Sequence, residues 1–299
     1  MSLAANLTSA LLRLYTYPYR KAHASLSRSI KLKSATRAPK GTILSSYPIA
    51  GITCKVLTPE KTPLNPPLLF IHGGGVTQPL SRPYIAFAAK LSRLMSAEVF
   101  MPDYPPDPEA TYPSLHDTIY DFYVDFQAET PVFYACGDSY GANCLISSVL
   151  RARDDNLNLP ERVALVSPFI DMSVSGDSYR LNAYRDPMYG LIKRQSFNEN
   201  EKYLRRQPKY IGSADALNPD LSPLFADFSD FVPTLIQVGE YETSLSDSET
   251  LSRRLDEAGV KNTLSVYRKL WHDFQIFTPF IPESKTAIGE IADFLLKSR

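Results

Sequence analysis

The first 41 residues contain no aspartate or glutamate, although Arg13, Arg20, Lys21, Arg28, Lys31, Lys33, Arg37 and Lys40 all fall there. Cysteine is also scarce. Cys54, Cys136 and Cys144 are odd in number, lie in apolar stretches and show no metal-ligand spacing. That pattern argues against a disulfide framework or a metal site, and for buried free thiols in a reducing, cytoplasmic compartment. Cys136 stands next to a Gly-Asp-Ser run, yet it reads as a small core residue at a strand end rather than a reactive thiol. No apolar run approaches the ~20 residues that span a bilayer, so no transmembrane segment is expected. Net charge is absent too, with 32 basic and 32 acidic residues. No global field therefore favours nucleic acid. Hydrophobic residues at 44% and charged residues at 21% match ordinary globular chains, and no internal repeat is visible.

The acid-free start is similar in composition to an organelle transit segment, and AHA at 22–24 faintly resembles a cleavage site. Arg13 interrupts the apolar stretch, however, which speaks against a secretory signal. Leu3, Leu7, Leu11 and Tyr15 recur at helical spacing and predict an amphipathic helix. Such a helix suits a membrane surface or the body of the protein, and the second is the reading adopted.

Beyond residue 40, strand-like and helix-like segments alternate. Strands are expected at 43–48, 52–57, 67–72, 97–102, 132–136, 162–167, 234–239 and 263–269. Helices are expected at 83–95, 114–125, 142–153, 246–258 and 284–297. Runs such as PLLFIH and RVALVSP suit strands covered on both faces, so the alternation implies an α/β fold with a mainly parallel, doubly wound sheet. Two stretches break the pattern: residues 1–40, and an insertion at 173–220 with helix-like pieces at 188–193 and 198–205. An insertion of that length is usually functional, and the two stretches are expected to pack together as a cap.

Between the strand at 132–136 and the helix at 142–153 lies Gly137-Asp138-Ser139-Tyr140-Gly141. A serine on a sharp strand-to-helix turn is exposed for attack, with small residues where the backbones crowd. It still needs a base and a group that orients the base. Of four histidines, His23 lies in the basic N-terminus and His116 on an expected surface helix beside Asp117. His272, just after the last strand, is the leading base, with a structural role beside Trp271 and Phe274 as the alternative. The acid is expected between serine and histidine in sequence, where Glu240, Glu242 and Asp247 all qualify by position. His72-Gly73-Gly74-Gly75 follows the strand at 67–72 and would leave backbone N–H groups open to an oxyanion. Losing one such donor costs on the order of 3 kcal/mol in other enzymes.

These residues together resemble the hormone-sensitive-lipase-like carboxylesterases of the α/β-hydrolase superfamily. The resemblance runs from HGGG at 72–75 through DYPPDPEATYP at 103–113, GDSYGAN at 137–143, SPFID at 167–171, SPL at 222–224 and VGEYETSLSDS at 238–248 to WHDF at 271–274. It implies an α/β-hydrolase fold, with an eight-stranded, mainly parallel sheet and helices on both faces. It also implies a single domain over 1–299, divided into a core (41–172 and 221–299) and a helical cap (1–40 and 173–220). By resemblance Ser139 is the nucleophile, His272 the base and Glu242 the acid, with Asp247 second choice. The N–H groups of Gly74, Gly75 and Tyr140 would form the oxyanion hole, and neither metal nor cofactor is implied. Tyr140 departs from the family's usual alanine, and its ring is expected to narrow the acyl or alcohol side.

The function implied is hydrolysis of small, short-chain acyl esters through an acyl-enzyme, with a small-molecule ester as partner and a homodimer compatible with it. Tyr140 raises a serine peptidase as alternative, against which HGGG argues. A non-catalytic small-ligand receptor on the same fold is the other, and the retained His272 argues against that. A histidine base predicts activity that rises with pH from about 6.5.

Overall fold

The computed structural model describes residues 1–21, 36–75, 77–107, 109–191 and 208–297. Eight strands form one sheet: β1 (Thr42–Ile49), β2 (Ile52–Pro59), β3 (Leu68–Ile71), β4 (Val99–Pro102), β5 (Tyr134–Asp138), β6 (Val163–Val166), β7 (Thr234–Gly239) and β8 (Asn262–Tyr267). Their order is β1-β2-β4-β3-β5-β6-β7-β8. β1 and β2 pair antiparallel, as do β2 and β4, and every other pairing is parallel. All eight strands expected from the apolar runs are present, shifted by a few residues at their ends.

The central strands are buried on both sides because their side chains alternate between two cores. Leu69 and Ile71 of β3 join one apolar cluster, and Leu68 and Phe70 the other. Helices α2 (Arg82–Met95), the short α7 (Phe274–Phe277) and α8 (Pro282–Leu296) cover the second cluster. The first lies under α3 (Ser114–Glu129), α4 (Ser139–Asp154) and α6 (Leu245–Glu257). Each parallel crossover returns over a face of the sheet, so the ends of β5 and β7 and the loop after β8 meet at one edge.

The N-terminal helix α1 (Leu3–Lys21) forms as its spacing predicts, but it docks through the other face. Ala5, Thr8 and Thr16 are buried, whereas Leu3, Leu7, Leu11, Leu14 and Tyr15 are exposed, Leu3 to 85%. Polar anchors set this orientation. Thr16 Oγ1 donates to the Pro187 carbonyl at 2.7 Å, Arg13 reaches the carbonyls of Tyr184 and Arg185, and Ser2 Oγ donates to Glu283 of α8 at 2.8 Å. Ala5 and Leu12 complete a small cluster with Met188, Trp271 and Phe274, so α1 buttresses the loop that carries His272. The AHA stretch lies outside the described residues.

The insertion after β6 also differs from expectation. A short helix α5 (Ser178–Leu181) forms, while 188–189 belong to a turn and 190–191 are irregular rather than the start of a helix. Asp186 Oδ1 accepts the amides of Met188 at 2.7 Å and Tyr189 at 3.2 Å. This local bond competes with helical pairing. The helix expected at 198–205 falls outside the described residues. Among the described residues no helix is long and apolar enough to cross a membrane.

Candidate functional site

β5 ends at Asp138 and α4 starts at Ser139 with no intervening loop. The chain turns so sharply that Ser139 takes φ 50°, a left-handed conformation uncommon for a residue with a side chain. Glycine on either side is a steric requirement. A Cβ on Gly141 would lie 2.3 Å from the Ile71 carbonyl oxygen and 2.4 Å from that of His72, and one on Gly137 2.8 Å from Ala142 Cα. Gly141→Ala is therefore expected to cost about 1–3 kcal/mol or more, read as a fall in Tm. An unchanged Tm would show that the strand end at Ile71 yields freely.

His272 follows β8 and is buried. Its Nε2 lies 2.9 Å from Ser139 Oγ and its Nδ1 3.0 Å from Glu242 Oε2. A carboxylate at Nδ1 favours the tautomer with its proton there, which leaves Nε2 to accept from the serine hydroxyl. The Tyr189 ring meets the imidazole edge-on at 4.7 Å, and the His272 amide donates to Asp186 Oδ2 at 3.3 Å.

Glu242 sits just past β7, fully buried, and its orientation is over-determined. Its Oε1 accepts the Ser167 hydroxyl at 2.7 Å and the Gly239 amide at 2.6 Å, and its Oε2 accepts the Ser244 hydroxyl at 3.3 Å. Asn182 Nδ2, from the insertion, donates to the carbonyls of Glu240 and Glu242 at 2.9 and 2.7 Å. The other two positional candidates are engaged elsewhere. Asp247 Oδ2 accepts the amides of Ile170 and Asp171 and the Tyr179 hydroxyl at 3.0, 3.1 and 2.9 Å. Glu240 accepts the Lys269 amide at 2.8 Å near the surface.

The HGGG loop lies against the turn at Ser139. The Gly73 amide donates to Asp138 Oδ1 at 2.9 Å, and a Cβ on Gly73 would meet Asp138 Oδ2 at 2.4 Å. Gly74 and Gly75 adopt φ 102° and 56°, which glycine enters without strain. His72 stacks on Tyr104 with centroids 4.1 Å apart and planes 3° from parallel. Burial pushes it down to about 4, so it is a neutral structural ring. The amide of Tyr140, in the first turn of α4, has no carbonyl one turn before it to bond.

Two side chains differ from the sequence reading. His116 is buried rather than on a surface. Its Nε2 is 3.0 Å from Asn143 Oδ1 and its Nδ1 3.1 Å from the Tyr210 hydroxyl, and burial lowers its proton affinity. Its spacing of three and seven residues from Ile119 and Tyr123 was the signal for this. Tyr140 turns its ring edge-on to His116 and Tyr210, at 5.9 and 5.6 Å. Only 5% of its surface stays accessible, so little of it is left to narrow a pocket.

A family model for the alpha/beta hydrolase fold matches residues 68–276. The chain is 31% identical to an esterase of Acinetobacter venetianus over 230 residues, 76% of this chain and 73% of that one. The chain belongs to the α/β-hydrolase family, in its hormone-sensitive-lipase-like branch. This hydrolase is also 24% identical to an acetyl-hydrolase of Streptomyces hygroscopicus over 76% of its length and 74% of that protein. Among solved structures, it is similar to an esterase from the bacterial hormone-sensitive lipase family, with a TM-score of 0.80 and 25% identity over 99% of this chain and 98% of that one. It is likewise similar to EstE5 soaked with p-nitrophenyl butyrate, with a TM-score of 0.82 and 25% identity over the same shares. Asp138, Ser167, Asn182, Asp186 and Asp273, which surround the hydrolase's Ser139–His272–Glu242 line, were not singled out by sequence. Asp138 and Asp273 lie within GDSYGAN and WHDF, where only Ser139, Tyr140 and His272 were given roles.

Proposed function

We propose that this hydrolase cleaves small, short-chain acyl esters through an acyl-enzyme on Ser139. The observation that carries the reading is the continuous line from Ser139 Oγ through His272 to Glu242, at 2.9 and 3.0 Å, on a turn strained at the serine itself. His272 Nε2 takes the hydroxyl proton as Ser139 Oγ attacks the ester carbonyl. The imidazolium returns that proton to the departing alcohol, leaving the acyl group on Ser139. Water then attacks the acyl-enzyme by the same route, and the carboxylic acid leaves. Glu242 orients the ring and stabilises its charge. Gly74, Gly75 and Tyr140 would supply the N–H groups for the oxyanion, since the glycines let their backbone approach closely and Tyr140 N–H has no helical partner.

The contacts of α1 with Pro187 and Arg185 support a cap drawn from 1–40 and 173–220 over this edge of the sheet. The preference for short acyl chains follows from relatives named as acetyl-hydrolase and from EstE5, which was soaked with a butyrate ester. A panel of p-nitrophenyl esters of increasing length tests it. Acetate and butyrate should turn over far faster than palmitate, and a profile that rises toward long chains would reassign the enzyme to lipid substrates.

A further inference from the structure

The relay uses one carboxylate, but others gather on the same histidine. Asp273 Oδ2 lies 3.2 Å from His272 Nε2, the nitrogen that must receive the serine proton. The side chain is buried at 2% exposure. Its backbone takes φ 52°, and its amide donates to Ser167 Oγ at 3.1 Å. That hydroxyl in turn donates to Glu242, so both carboxylates are positioned through Ser167. Among the described residues, neither Asp273 Oδ1 nor Asp138 Oδ2 has a hydrogen-bond partner. The titratable groups around this point are Glu242 after β7, Asp138 at the end of β5, Asp186 and Tyr189 in the insertion, and Tyr84 on α2.

We propose that Asp273 is a second carboxylate partner of His272, a positioning residue that holds the proton on Nε2 and thereby sets the pH at which the site can deprotonate Ser139. The inference rests on the relay proposed above. Once His272 is protonated, its Nε2–H can donate to Ser139 Oγ at 2.9 Å, while Asp273 Oδ2 lies 3.2 Å from the same nitrogen as an ion-pair partner. Burial raises the proton affinity of Asp273 and the His272 charge offsets it; once ionised, Asp273 stabilises the imidazolium beside it, so the imidazolium–Asp273 pair is an idle state. Burial disfavours the charged ring, but the Asp273 and Glu242 carboxylates outweigh it and hold His272 well above its usual range. A base that must be neutral to act is switched on as pH rises, so the acidic limb of the activity profile lies above about 6.5.

Asp273→Asn is the direct test, because asparagine keeps the shape and tolerates the left-handed backbone. The acidic limb of kcat/KM should move down by about 1–3 pH units, with the high-pH plateau within about tenfold of wild type. A role confined to folding would lower the plateau and leave the limb in place, and a limb that stays or moves upward overturns the proposal. The imidazole resonances of His272, titrated by NMR in Ser139→Ala and in Ser139→Ala/Asp273→Asn, should show the same downward shift. This second readout needs no turnover. Absence of Ser139-dependent hydrolysis in wild type would therefore defeat the functional reading alone, while an unmoved His272 titration would defeat the role of Asp273 alone.

Discussion

Ser139→Ala is expected to lower kcat for p-nitrophenyl butyrate by about 10⁴- to 10⁶-fold, the range seen when a relay serine is deleted elsewhere. The loss should be confined to chemistry. Ser139 is at the rim of the buried interior, 9% exposed, and alanine places the same Cβ on the same strained backbone. His272 would stay in place through Glu242 at Nδ1, Asp186 at its amide and the Tyr189 ring. Far-UV circular dichroism and Tm should be close to wild type, and KM should change little. Residual turnover of about 10³-fold over the uncatalysed rate is compatible with an intact oxyanion site. Equal turnover by wild type and variant would sink the mechanism.

Glu242→Gln and Asp247→Ala are expected to fail in opposite ways. Glutamine at 242 keeps the volume but no longer favours the Nδ1–H tautomer, and the comparable change in a serine protease lowers kcat about 10⁴-fold. In Asp247→Ala the His272 contacts are untouched. Three donors lose their acceptor instead: the amides of Ile170 and Asp171 and the Tyr179 hydroxyl. Buried donors left unpaired cost roughly 1–3 kcal/mol each, so this variant should melt early while the folded fraction keeps kcat within about tenfold of wild type. Paired measurements of kcat and Tm separate the two. A larger loss of kcat in folded Asp247→Ala than in Glu242→Gln would move the orienting role to Asp247.

Much of the fold was readable because its signals are local. A strand buried on both faces must be a short apolar run, and LLFI, VALV and TLIQVG are such runs. The elbow was legible for a similar reason, since Gly137 and Gly141 stand where a Cβ would strike backbone. The N-terminal helix shows where local signals stop. Its leucine stripe predicted the helix but not the buried face, because Thr16, Arg13 and Ser2 found partners at Pro187, Tyr184, Arg185 and Glu283. His116 went the same way, since the partners that bury it lie on α4 and at Tyr210.

The sequence by itself determined the order of strands and helices, the turn that lifts Ser139 and the short set of residues able to join it. Which carboxylate meets His272 was decided only in three dimensions. Glu242, just past β7, and Asp247, in the first turn of α6, are five positions apart and alike in chemistry. One is turned toward Nδ1 by Ser167, Gly239 and Ser244, and the other is held by the chain after β6. The same holds for Asp273, whose place beside Nε2 depends on a left-handed residue and on a serine 106 positions away. Hydrogen bonds between distant segments carry no trace in local spacing, because the chain between them sets no direction for either side chain.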